Sequence, residues 1–96
     1  MRIYLSGPMR GIPDDNHPAF REFAAKLRAE GHQVYCPAEA DAAVIALGEA
    51  PTMRTFLLHD TQWICREAEG IAMMPGWENS KGARAEHALA VAIEEI

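Results

Sequence analysis

The sequence predicts an α/β fold: one domain over residues 1–96, built on a short parallel sheet of about three strands flanked by helices. Three observations predict it. Short apolar runs at 3–5, 33–36 and 71–74 each lead into a glycine or proline turn. The longer segments at 18–30, 52–68 and 81–96 carry apolar residues at helical spacing or are rich in alanine. The strand–helix–strand order with short turns specifies parallel pairing through right-handed crossovers.

Ile3, Tyr4 and Leu5 form the first strand, which leaves the sheet through Ser6-Gly7-Pro8. Asp14-Asp15-Asn16 offers an N-cap, Pro18 is tolerated in the first turn, and Phe20, Phe23, Ala24 and Leu27 recur at helical spacing until Gly31 stops the helix. Gln33-Val34-Tyr35-Cys36 is the second strand, ended by Pro37. Residues 38–50 are rich in alanine and acids without a clear period, and read as a loop or an irregular helical turn. Pro51 and Thr52 open a helix running to about Ala68, and Gly70 ends it before the third strand, Ile71-Ala72-Met73-Met74. Pro75-Gly76-Trp77 closes that strand, and Ser80 caps a final helix from Lys81 to near Ile96.

With 49% hydrophobic residues the chain is no disordered tail, yet no apolar run approaches the ~20 residues that cross a bilayer. The start lacks the pattern of a secretory signal, so the expectation is a cytoplasmic protein with no membrane partner. Fourteen acidic against nine basic residues, a formal charge of −5, and no basic stripe interleaved with aromatics argue against polymeric nucleic acid. A single nucleotide needs only a few local donors and stays open. Cys36 and Cys65 lack metal-type spacing and read as reduced, partly buried thiols.

Two carboxylates fall where apolar residues belong. Met53, Phe56, Leu57, Trp63 and Ile64 mark the core-facing stripe of the second long helix, and Asp60 lies in its middle. On the last helix Leu89, Ile93 and Ile96 mark the inner face, and steps of three and four back from them reach Glu86 and Gly82. Burying an ionised carboxylate without partners is costly. Each acid could meet an arginine or backbone amides; a shared polar cleft explains both at once. Open parallel sheets bind ligands at the carboxyl ends of their strands, where the Gly-Pro turns lie.

Two loops offer anion donors. Ser6-Gly7-Pro8-Met9-Arg10-Gly11 has two glycines that admit backbone amides to a ligand and an arginine suited to a bidentate phosphate contact, although an ordinary glycine turn fits as well. Asn79-Ser80-Lys81-Gly82-Ala83 opens the last helix, where free N–H groups and the Ser80 hydroxyl favour an anion or simply form an N-cap.

Tyr4, the loop from Ser6 to Gly11, Asp60 with Trp63, and Ser80-x-Gly82-Ala83-x-x-Glu86 resemble, in order and over nearly the whole chain, the nucleoside 2-deoxyribosyltransferase superfamily. A serine six residues before the glutamate and an arginine in the first loop are similar to its branch that hydrolyses nucleoside 5′-monophosphates. Length and the Pro75-Gly76-Trp77 segment look like a small group found in bacteria and phages. The resemblance implies a small Rossmann- or flavodoxin-like three-layer domain. It implies that Glu86 attacks the anomeric carbon, Asp60 helps protonate the departing base and Tyr4 orients the glutamate. Gly7, Pro8, Met9, Arg10, Gly11, Ser80 and Gly82 would surround the 5′-phosphate. No metal and no organic cofactor is required. Family members usually continue into further strands and complete the pocket with a neighbouring subunit, so a homodimer or higher homo-oligomer pairing at the edge strand is expected. The alternatives are base exchange between deoxynucleosides, or a catalytically inactive module that binds or senses a nucleotide.

Other constellations carry less. His59-Asp60 resembles a metal-phosphohydrolase dyad, but His17, His32 and His87 lack the supporting spacing. Cys65 and His59, six residues apart, lie on different helix faces. Trp63 and Trp77 read as core and rim packing, with Trp77 also placed to cover a base or sugar.

Overall fold

A computed structural model describes residues 1–94. The elements are β1 (Arg2–Ser6), α1 (His17–Ala29), β2 (Gln33–Tyr35), α2 (Pro37–Ala46), α3 (Met53–Arg66), β3 (Gly70–Met73) and α4 (Lys81–Glu94). The three strands form one parallel sheet in the order β2-β1-β3, with Tyr4 opposite Tyr35 and Ile71, and Ser6 opposite Met73. The chain pairs β2 on one side of β1 and then crosses to β3 on the other, the arrangement of a flavodoxin-like sheet, whose ligand crevice opens at the carboxyl ends where the order reverses. Among the described residues, no helix is long and apolar enough to cross a membrane.

Successive side chains of a strand point to opposite faces. Leu5 and Val34 turn to the α1 face, where with Phe20, Ala24, Cys36, Ala38 and Met74 they form the apolar core. Tyr4, Ser6 and Tyr35 turn to the other face, under α3 and α4. There Tyr4 and Tyr35, register partners, stack with ring centroids 5.2 Å apart, and Trp63 of α3 lies 5.0 Å from Tyr35. One face of the sheet is therefore oily and the other aromatic and hydroxylated.

The structure departs from the sequence expectation in four places. Residues 38–50 are not a loop: Pro37 at the first helical position and a run of alanines build α2 through Ala46. Its weak apolar periodicity hid it, because it packs on α1 and α3 through small residues. Asn16 does stand at the N-cap position of α1, but its side chain makes no cap bond to the helix. Asp14, Asp15 and Asn16 have positive φ (56°, 51° and 61°) in a tight turn from Pro13, and Asn16 Nδ2 donates to the Pro8 carbonyl at 2.9 Å, tying that turn to the loop after β1. The expected inner face of α4 breaks down at its end, where Ile93 is exposed; Ile96 lies outside the described residues. Cys36 is buried at the start of α2, whereas Cys65 is exposed rather than partly buried.

The other caps form as the sequence expects. Thr52 accepts from the Thr55 N–H at 3.2 Å at the head of α3, and Ser80 Oγ accepts from the Ala83 N–H at 3.2 Å at the head of α4.

Candidate active site

A cleft of about 1020 Å³ opens at the carboxyl ends of the strands. Asp60 and Glu86 both line it, at 4% and 7% exposure. Around it stand Gly7, Pro8, Met9 and Arg10 from the loop after β1, and Ser80, Lys81 and Gly82 from the head of α4. Gly11 is exposed and stands outside this wall, with a positive φ of 80° that makes it a turn residue. Trp77 does not line the cleft and packs tilted against His87 with centroids 4.5 Å apart.

Glu86 is held from below by β1. Tyr4 donates its hydroxyl to Oε2 at 2.7 Å and Ser6 donates to Oε1 at 2.7 Å. Both donors share a strand face because they are two residues apart, so one short strand satisfies both carboxylate oxygens. Tyr4 is fully buried and acts beneath the cleft rather than in its wall. Asp60 accepts from the Tyr35 hydroxyl at 2.8 Å, and the Tyr4 hydroxyl that Glu86 holds also favours the charged form of Asp60.

Burial raises both carboxyls. It lifts Glu86 from 4.5 to about 7, against the Ser6 and Tyr4 hydrogen bonds and with some help from the charge of Asp60. It lifts Asp60 to about 6, against the hydroxyls of Tyr35 and Tyr4. Burial and the adjacent acids push both tyrosines far above their ordinary value, so the hydroxyls stay protonated donors. The result is two acids near neutrality facing one cavity, where one can be ionised while the other carries a proton.

Gly7 has a different use from the one its sequence suggests. A Cβ there would lie 2.7 Å from Cβ of Met74, so this glycine lets β1 and the end of β3 approach closely at the crevice. At the head of α4 the first amides have no partners within the helix, and Lys81 adds a cation to the cleft wall.

Sequence reasoning passed over three members of the site. Ser6 was legible only as a loop residue, although its two-residue spacing from Tyr4 was the available signal. Tyr35 reached Asp60 through strand order, which no local pattern encodes. Asp41 lies in the segment without a period, yet it is 7% exposed and lines the same cleft. Burial, then the charges of Asp60, Glu86 and Asp15, raise Asp41 to about 7.

His59, the other half of the suspected metal dyad, pairs instead with Glu49, Nε2 to Oε2 3.0 Å. Among the described residues no group of three or more histidines, cysteines and acids is arranged to hold a metal ion.

Fold and site together define a small open α/β domain with a carboxylate-floored cleft at the reversal point of its sheet. The chain belongs to the family described as Domain of unknown function (DUF4406), which matches residues 1–95. No curated protein and no solved structure matches it.

Proposed function

We propose that this protein is an N-glycosidase of the nucleoside 2-deoxyribosyltransferase superfamily, acting on a nucleoside or deoxynucleoside 5′-monophosphate. The observation that carries this reading is the placing of two buried carboxyls, Glu86 and Asp60, in one cleft whose mouth carries Arg10, Ser80 and Lys81. An anion fits the mouth: the Arg10 guanidinium, the amides heading α4 and the Ser80 hydroxyl are all donors. A sugar bound beyond it meets the floor.

Since burial lifts Glu86 higher than Asp60, the form that reacts is the less populated tautomer of the pair, with the proton on Asp60. In it the ionised Glu86 attacks the anomeric carbon as the bond to the base breaks, giving a glycosyl ester. Asp60, protonated, hands its proton to the departing base nitrogen. The Asp60 carboxylate then takes a proton from water as that water attacks the same carbon and frees Glu86. Tyr4 and Ser6 hold the attacking carboxylate in one orientation, which removes a rotational cost from the transition state. β3 lies at the sheet edge, and we assign the protein to a homodimer or higher oligomer on that account. Light scattering that gives a monomer mass at every concentration contradicts the assignment.

Incubation with the candidate monophosphates, followed by chromatography for free base, tests the reaction. Base that appears only when an acceptor base is added indicates transfer in place of hydrolysis. Tight binding by calorimetry without turnover indicates a sensing module.

A further inference from the structure

Of the acids in the cleft wall that the proposed reaction leaves unused, Asp15 is exposed and Asp41 is buried. Asp41 Oδ1 is enclosed and has no hydrogen-bond partner among the described residues. The charges that act on it come from Asp60, Glu86 and Asp15, all acids. A purely structural acid finds a partner, as Glu39 on the same helix does with Arg28 at 2.8 Å. Asp41, two residues further on, faces nearly the opposite way and lies in the cleft wall. A buried carboxyl without a partner opposes folding, which makes it a group to be satisfied by something the cleft binds.

The surroundings narrow what that is. Pro37, Ala42 and Ile45 of α2, with Phe56 and Leu57 of α3, line the cleft beside Asp41, and Ile45 is 51% exposed. An apolar slot with one polar group is how proteins hold a flat heteroaromatic ring in a fixed orientation. The α2 wall of the slot follows β2, across β1 from β3, while its α3 wall also packs against α4.

We propose that Asp41 reads the base of the nucleotide, an assignment that rests on the cleft being a nucleotide site. With the phosphate at Arg10 and Ser80 and the sugar over Glu86, the base enters the slot. There an Asp41 oxygen accepts an N–H from an exocyclic amino group. Adenine and cytosine carry such a group at N6 and N4; thymine and uracil place a carbonyl oxygen there, which sets acceptor against acceptor. Guanine carries a carbonyl there, with its amino group on C2. Ionised, Asp41 offers acceptors only, whereas its protonated form would donate to the thymine carbonyl, so the discrimination is read at pH 8, above the value of about 7.

The test compares wild type with Asp41→Asn on the 5′-monophosphates of deoxyadenosine, deoxyguanosine, deoxycytidine and thymidine, reading kcat/KM for base release and affinity by calorimetry. Asparagine keeps the size and adds an N–H that serves the thymine carbonyl. The expected result is a wild-type preference of about tenfold or more for the adenine or the cytosine nucleotide over the thymidine nucleotide. Asp41→Asn should cut that ratio by about fivefold or more, with a melting temperature no lower than wild type. Asp41→Ser supplies the same comparison should the asparagine variant not fold. A ratio unchanged by substitution, with nucleotides still bound or cleaved, overturns the role of Asp41 and leaves the nucleotide reading standing. Failure of all four to bind or react with wild type overturns both.

Discussion

The Tyr4 hydroxyl donates to the Glu86 carboxylate at 2.7 Å, joining the first strand to the last helix across 82 residues of chain. Ser6 takes the other oxygen, so Glu86 cannot rotate without breaking two bonds. Hydrogen bonds to a carboxylate favour its charged form, and here they work against burial. The first prediction concerns this residue. Glu86→Gln keeps both oxygen-side contacts in part but removes the nucleophile, and should lower base release by about a thousandfold or more. Quantifying free base by chromatography checks it; undiminished turnover removes Glu86 from the mechanism.

Tyr4→Phe keeps the ring stacked on Tyr35 and deletes one bond to Glu86. With that support gone Glu86 binds its proton more tightly, so the acid limb of the kcat/KM profile should move to higher pH, and kcat should fall about tenfold. A profile whose acid limb stays in place would mean that the hydroxyl does not act on the charge of Glu86.

Stability should depend on pH with a definite sign. Asp60, Glu86 and Asp41 are raised by burial to about 6, 7 and 7 in the folded protein. Their contribution is fully present below the unfolded values near pH 4, and is lost as pH rises through 6 and 7, because the unfolded chain releases these protons first. Glu86→Gln should therefore be more stable than wild type at pH 8, by about 1–3 kcal/mol. The gap should close below pH 5. Thermal denaturation across that range measures it, and a gap that widens in acid contradicts the sign.

Two glycines should respond oppositely to alanine. Gly7→Ala drives a Cβ to 2.7 Å from Cβ of Met74, both fixed to backbone, and should destabilise by about 1–3 kcal/mol while weakening nucleotide binding. At Gly82 the nearest atom would be Met53 Sδ at 3.5 Å, an ordinary contact, and the helix gains about 0.5–1 kcal/mol from alanine. Urea denaturation of the two variants separates these cases.

Arg10→Ala and Ser80→Ala should each weaken binding of a monophosphate about tenfold or more, with little effect on the parent nucleoside. Ser80→Ala also loses the cap bond to the Ala83 N–H and should cost about 1 kcal/mol. Calorimetry with nucleotide and nucleoside in parallel checks the pair; equal losses for both ligands would move the phosphate elsewhere.

Much of this protein is written locally. Apolar runs closed by Gly and Pro mark the strands, and an acid in the middle of an apolar stripe marks Asp60, because the helical period is a property of neighbours in the chain. The same period places Glu86 inward although the end of its stripe, Ile93, is exposed, since the first two turns of α4 alone cover the sheet. Local pattern fails where a helix is held by small residues, as α2 is, and where a turn is held by a distant carbonyl, as Asn16 is by Pro8. It also fails for partners. That Tyr4 serves Glu86 while Tyr35 serves Asp60, and that Asp41 joins them in one cavity, follows from the order β2-β1-β3. Period fixes which way a side chain points; only the packing of strands and helices from distant parts of the chain fixes what it meets, because that choice belongs to the free energy of the whole fold.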